Sequence, residues 1–492
     1  MAKIFEKLMM RKPRYSAFDR SHDRKMTFEM GQLIPCLVEE VYPGDYYQIA
    51  TEVMVRMPAL IRPVYHRINV YCHYFFVPNR IVWNEWENFI TGGKDGDLAP
   101  TLPQLNAPNS VAGESSLADY LGYGSDGGAG TNYVPQLNQL PFRAYTSIYN
   151  EYFRDETLQD ELDLTSQGDI REVRMRCWEK DYFTSALPWT QRGQNLQTPF
   201  SFNWTEADDV YDSAGNLVTT SENIQHSSAG KLQVENGTET GGIDNTANLG
   251  MTINDLRNTA RLQEFLENNA RGGFRYIEQL LHRWGLRSQD QRLQRPEYLG
   301  GGRQPVTISE VLNTSATATQ PQGDFAGHGI SVGTNNYAKK KVPEHGYIIG
   351  IMSVLPRTGY FQGVPKHFLY NDRLDYYHPE FAHIGEQPIQ NQELYCDKDD
   401  SGTWNTDTFG YQQAWAHLKY AQSTVHGEFR SSQDNWHLDR KFAAQPSLNG
   451  DFVESDPDTR IFAVPSQPKL EAYVHNSVKA RRPMPYFANP KL

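Results

Sequence analysis

Apolar and polar positions alternate with a period of two through much of the first eighty residues. LIPCLVEEVY, residues 33–42, reads as a strand that ends at the Pro43-Gly44-Asp45 turn. DYYQIATEVMVRM, 45–57, and VYHRINVYCHYFFVP, 64–78, read as two more. In the last run His66, Ile68, Val70, Cys72, Tyr74 and Phe76 share one mostly apolar face. Tyr65, Arg67, Asn69, Tyr71 and His73 share the other, which predicts a half-buried strand. The period then changes. RIVWNEWENFI puts Val82, Trp86, Phe89 and Ile90 at helical spacing, and Gly92-Gly93 stops the helix.

Residues 94–141 are rich in Gly, Pro, Asn and Ser and predict one very long loop. Helical spacing returns over 142–158, and a short helix is expected over 169–182 with Asp169 as its N-cap. Thr252 is placed to cap INDLRNTARLQEFLENNAR, which Gly272-Gly273 ends, and FRYIEQLLHRW starts a helix that Gly285 ends. From 286 onward short strands lie between loops, the clearest being HGYIIGIMSVLP and the last LEAYVHNSVKARRPMP. No repeat of fixed period occurs. The pattern predicts an all-β, antiparallel domain with large insertions rather than alternating βαβ units. The expected organisation is an arm over 1–30, the first part of the β domain over 31–205, an insertion over 206–246 and the remainder over 247–492.

Charge adds two features. The chain of 492 residues carries a net −12, which argues against a broad basic surface coated in nucleic acid. Residues 1–25 nevertheless net +5, through Lys3, Lys7, Arg11, Lys12, Arg14, Arg20, Arg24 and Lys25. Such a block binds a polyanion or is a solvated tail. Residues 206–246 net −7, with Glu206, Asp208, Asp209, Asp212, Glu222, Glu235, Glu239 and Asp244 against Lys231 alone. With one aromatic, Tyr211, that segment cannot bury much apolar surface and should project into water.

Catalytic chemistry finds little support. Cys36, Cys72, Cys177 and Cys396 have neither CxxC nor disulfide-framework spacing, which fits a reducing compartment. His378 and His383 are five apart around Pro379, unlike the i, i+4 pair of a zinc protease. No phosphate-binding glycine loop opening a helix and no G-x-S-x-G elbow is present. Gly300-Gly301-Gly302 before Arg303 could cradle an anion, although glycines more often serve turns and close packing. No transmembrane-length apolar run occurs, and without a secretion signal the sequons at Asn203, Asn236 and Asn313 read as chance. The 60 aromatics are more informative. They crowd loops such as YFQGVPKHFLYNDRLDYYHPEF and RPMPYF, where other subunits would have to cover them.

Several segments in order resemble one family. FDRSHDRKMTFEMGQLIPCLVEEVYPGD, 18–45, is similar to the opening of the major capsid protein of microviruses, in the gokushovirus-like branch. The resemblance continues through HYFFVPNRIVWNEWENFITGG (73–93), NEYFRDETL (150–158) and DYFTSALPWTQRG (181–193). It returns in NDLRNTARLQEFLENNARGGFRYIE (254–278), RLQRPEYLGGG (292–302) and HGYIIGIMSVLPRTGYFQG (345–363).

The resemblance implies an eight-stranded antiparallel viral jelly roll with long loop insertions containing a few short helices. It implies a T=1 icosahedral shell of sixty copies, with pentamers as intermediates, around the circular single-stranded DNA of a small bacteriophage. It brings no active site, metal or cofactor. It implies as partners a small basic DNA-binding virion protein, a pilot protein and the bacterial host surface, with assembly in the host cytoplasm and no membrane insertion. The insertion at 206–246 then resembles the threefold surface protrusion of those capsids.

The best DNA-facing candidates are Lys3, Lys7, Arg11, Lys12, Arg14 and Tyr15, with Lys479, Arg481 and Arg482 as a second group. The alternative for both termini is that they clamp neighbouring subunits. Competing functions are a carbohydrate-active β-sandwich enzyme, which would need two acids in an aromatic cleft, and a monomeric adhesin.

Overall fold

The computed structural model describes residues 14–105, 113–123, 136–193, 253–273, 275–312, 314, 322–400, 402–464 and 466–487, with the short strands 224–226 and 232–234. It divides into two compact units, one up to Pro188 and from Leu286 onward, the other Trp189–Gly285.

The first unit is built on two antiparallel sheets. Their strands are β1 (Ser16–Asp19), β2 (His22–Phe28), β3 (Ile34–Val41), β4 (Tyr46–Arg56) and β5 (Ile68–Pro78). They continue with β6 (Glu297–Pro305), β7 (Thr307–Leu312), β8 (Phe325–Lys341), β9 (Gly346–Pro356) and β10 (Leu470–Arg482). The first sheet has the order β1–β10–β4–β8–β7, with β2 also on β10. The second has the order β6–β5–β9–β3. The register of β1 on β10 continues without shift into β2, and Arg20 donates its N–H to Val478 O (2.8 Å) between them. The two are one strand interrupted at Arg20-Ser21. At Val306, whose N–H reaches Ile68 O (2.9 Å), the chain passes from the second sheet to the first.

Alternation explains which faces meet. Tyr47, Ile49, Val53 and Val55 of β4 and Leu470, Val474, Val478 and Ala480 of β10 are buried. They pack with Ile68, Val70, Cys72, Tyr74 and Phe76 of β5 and Ile348, Met352 and Val354 of β9 in one core. Removing the wholly buried Phe76 ring would cost about 3–5 kcal/mol.

The 64–78 run departs from expectation. Its strand begins at Ile68 and is buried on both faces, because Phe75 and Val77 lie in a second core with Tyr145 and Ile148. Those two belong to helix α1 (Leu140–Ile148). All eleven residues of β9 are buried, Ile348, Met352 and Val354 in the first core and Tyr347, Ile349 and Ile351 in the second.

Other expectations are corrected. The helix over 80–90 is two short pieces, Asn79–Val82 and Trp86–Thr91, because Trp83 is extended (φ −150°). Gly92 ends the second piece at φ 75°. The long loop contains a helix, Leu117–Leu121, capped by the Ser116 side chain. Residues 169–182 form no helix. Tertiary pairing takes their backbone instead: Met175 bridges to Gln32 and Cys177 to Glu454. The triple glycine lies in β6, where a Cβ at Gly301 would sit 2.3 Å from Cys72 O. Close packing accounts for it.

The second unit holds α2 (Ile253–Gly272) and α3 (Tyr276–Trp284), ended by Gly273 and Gly285 at φ 82° and 66°. A two-stranded ribbon pairs Ile224–His226 with Leu232–Val234. The rest of 206–246, including all eight acidic candidates, lies outside the described residues.

Candidate nucleic-acid interface

The face of the first sheet turned away from the core is made by the alternate residues of β4, β8 and β10. Register places them in rows. Arg481 of β10 lies opposite Tyr46 of β4 and Ala17 of β1, and Tyr46 lies opposite Lys341 of β8. In the next row Lys479 lies opposite Gln48 and Asp19, and Gln48 lies opposite Lys339. Residues directly opposed in an antiparallel sheet share a face. One end of this face therefore collects Arg481, Lys479, Lys341 and Lys339 against Asp19. Among the described residues none of these four cations forms an ion pair within 4 Å.

One aromatic ring borders the cations. The Arg481 guanidinium sits 5.6 Å from the centroid of the Tyr15 ring. Phe18 lies opposite the buried Ala480, on the other face of the sheet, where it stacks on Tyr486 (5.6 Å, 2° between planes), and Tyr486 meets Phe487 edge-on at 4.9 Å. Tyr486 and Phe487 remain 64% and 74% exposed. Exposed cations that follow a phosphate backbone, beside a ring on which a base stacks, make a surface suited to single-stranded nucleic acid.

The sequence candidates divide. Lys3, Lys7, Arg11 and Lys12 lie outside the described residues. Arg14 and Tyr15 are exposed at the start of the arm, and Lys479 and Arg481 lie on the open face. Arg482 points the other way. Its Nε is 3.2 Å from Asp45 Oδ2 and its Nη2 donates to Glu40 O (2.6 Å) and to the Tyr47 hydroxyl. Burial pushes Asp45 above the usual carboxylate range and Tyr47 up to about 12. Arg482 is thus a packed anchor rather than a free cation. Sequence reasoning missed Lys339, Lys341 and Tyr46. The signal for the first two was the Lys339–Lys341 run, but glycines and asparagines hide the alternation of β8.

Metal chemistry gains no support: among the described residues no cluster of three His, Cys, Asp or Glu could hold an ion. All four cysteines are free thiols.

A different part of the surface bears on assembly. The loop 366–384 exposes Phe368, Leu374, Tyr376, Tyr377 and Ile384. So much apolar surface in one stretch marks a site of protein contact.

An antiparallel sandwich, an open face suited to nucleic acid and exposed aromatic loops together describe a structural shell protein. A family model described as "Capsid protein (F protein)" matches residues 9–492, and the chain belongs to that family. It is similar to the capsid protein VP1 of Chlamydia phage 1, 34% identical over 97% of this chain and 96% of that one. VP1 of Bdellovibrio phage phiMH2K is 33% identical over 90% and 88% of the two chains. VP1 of Spiroplasma virus 4 is 30% identical over 96% and 94%. The chain is thus a structural capsid protein of a gokushovirus-type microvirus, self-assembling and part of the virion, and not an enzyme.

Proposed function

We propose that the chain is an eight-stranded jelly roll whose sixty copies close a T=1 shell around circular single-stranded DNA. Strand order is the observation that carries this reading. With β1 and β2 counted as one strand, four strands of the first sheet run β1/β2–β10–β4–β8 and the second runs β6–β5–β9–β3. Apart from β5 and β6, which pair within the second sheet, successive strands of the eight thus alternate between sheets in the Greek-key manner of viral jelly rolls, with β7 as an added edge. Electron microscopy of the purified protein tests this: icosahedral particles or pentamers are expected, and a stable monomer would refute it.

In this reading the end of the first sheet that carries Arg481, Lys479, Lys339 and Lys341 faces the genome, and the part of the 1–30 arm ahead of β1 extends the contact. The competing role is that the termini clamp neighbouring subunits; Arg482 belongs to neither role, because it ties the end of β10 to Asp45 of its own chain. The net charge of −12 leaves most genome neutralisation to a separate small basic protein. A pilot protein completes the particle, and assembly takes place in the bacterial host cytoplasm. The segment 206–246, with a net −7, lies outside the shell and away from phosphates, where it contacts the host surface. The parts 31–205 and 247–492 supply the jelly roll and its loops together with the β1/β2 strand, which comes from within 1–30.

A further inference from the structure

On the second sheet, the face turned away from the core carries a cleft of about 340 Å³. Arg67, Arg303 and Arg357 line it, with Asn69, Lys180 and Tyr420. Register explains the convergence. Pro305 and Leu355 lie opposite Asn69 from the two sides, and Arg303 lies opposite Tyr71. Ile68, Val70 and Cys72 point into the core, so Asn69 and Tyr71 point out. Arg67 and Arg357 sit two residues from Asn69 and Leu355, and Arg357 N–H bonds Arg67 O (2.9 Å). Three neighbouring strands thus bring three arginines to one end of one face.

These guanidinium groups are exposed, and among the described residues none makes an ion pair or a side-chain hydrogen bond. The nearby acids are already engaged. Glu179 accepts from the Tyr71 hydroxyl, and Asp181 accepts from the Tyr360 hydroxyl (2.8 Å) and from the N–H groups of Phe183 and Thr184 (3.0 and 2.8 Å). Lys180 pairs with Asp155. The cleft therefore offers three free planar donors, the geometry that recognises phosphate oxygens.

We propose that this cleft binds a phosphate ester of a hydroxyl-bearing group, such as a sugar phosphate or a nucleoside monophosphate. The cleft is too large for a bare ion. Glu179 at its wall keeps Oε2 open as an acceptor for a hydroxyl of the ester, and the Tyr420 ring gives its flat part a surface. An acidic side chain of another subunit would satisfy the arginines but would meet Glu179 and Asp181 with no hydroxyl to donate.

Calorimetric titration of the purified full-length chain with glucose 1-phosphate, dTMP, glucose and acetate tests the assignment. At least one ester should bind, more weakly as salt rises, and far better than glucose or acetate. Arg303→Gln and Arg357→Gln should each weaken it about tenfold or more. Arg67→Gln, outside the strands, provides the same readout if either of the others melts early. A preference for glucose 1-phosphate would mark a phosphorylated glycan as the source, and a preference for dTMP a nucleotide; both support the site. No binding of either ester at millimolar concentration, affinity unchanged in folded variants, or displacement of the ester by a Glu-rich peptide at lower concentration would overturn it.

Discussion

Arg482 at the end of β10 reaches across to Asp45, Nε 3.2 Å from Oδ2, and the carboxylate it meets has no solvent exposure. Asp45 belongs to the turn between β3 and β4 and accepts the N–H of Tyr42 (3.0 Å). The pair thus joins the end of β10 to the turn between β3 and β4. Burial of the two charges offsets much of their attraction, but removing one partner leaves the other uncompensated. Arg482→Ala should therefore lower unfolding stability by about 3–5 kcal/mol. Arg482→Ala combined with Asp45→Asn should recover part of that loss. Denaturant melts of unassembled subunits measure both.

His475 and Asp23 pair β10 with β2 at 2.6 Å. The hydrogen bond to Asp23 raises the His475 pKa from its ordinary 6.5, and the same contact lowers Asp23 from 3.8, with help from Tyr473. The raised histidine contributes stability below 6.5 that is lost as pH rises through its folded value. The depressed aspartate contributes stability above 3.8 that is lost as pH falls through its folded value. Pairing of β2 should be firmest between those limits. Glu52 and Asp19 also favour charged His475, and Lys25 favours charged Asp23. Amide exchange over 22–28, corrected for intrinsic rate, should be slower at pH 5.5 than at 8.5. His475→Gln should remove the difference.

Strands with clean alternation were legible: 45–57 and 470–485 fall close to β4 and β10 because one face of each meets solvent, while 33–42 falls close to β3 through its bounding turn, with only Glu40 of that strand exposed. Layering hid the rest. β5 and β9 lie between a sheet and the α1 layer, so both faces are apolar and the period of two blurs. The segment 169–182 has helical spacing, but Gln32 and Glu454, far away in sequence, claim its backbone. At the candidate interface Lys479 and Arg481 were visible as cations within the last strand run. Their partners Lys339, Lys341 and Tyr46 follow only from register, which no local pattern contains.

The open end of the first sheet should carry part of the salt dependence of DNA binding. Replacing Lys339, Lys341, Lys479 and Arg481 together by Ala should reduce the slope of log K against log salt by about 0.7 for each cation that neutralised a phosphate of single-stranded DNA. Tyr15→Ala should weaken binding by about 1–3 kcal/mol if a base stacks on that ring. Filter binding of subunits to oligo(dT) across a salt series reads both. An unchanged slope would move the genome contact to Lys3, Lys7, Arg11 and Lys12, whose replacement by Ala should then lower DNA per particle.

Segment 206–246 nets −7 and offers few apolar groups to offset the ordering of its backbone. Three copies brought to a threefold axis would repel one another unless water and salt screen them. An external position satisfies both conditions, and exposed segments on a rigid scaffold are where recognition is placed. Replacing 206–246 by a short Gly-Ser linker should therefore leave assembly intact and reduce attachment to host cells, as counted by particle adsorption. Normal adsorption would make the segment a tolerated insertion without a receptor role. Failure to form particles would make it a structural joint, contradicting an external position, because a joint requires the segment to be buried between subunits.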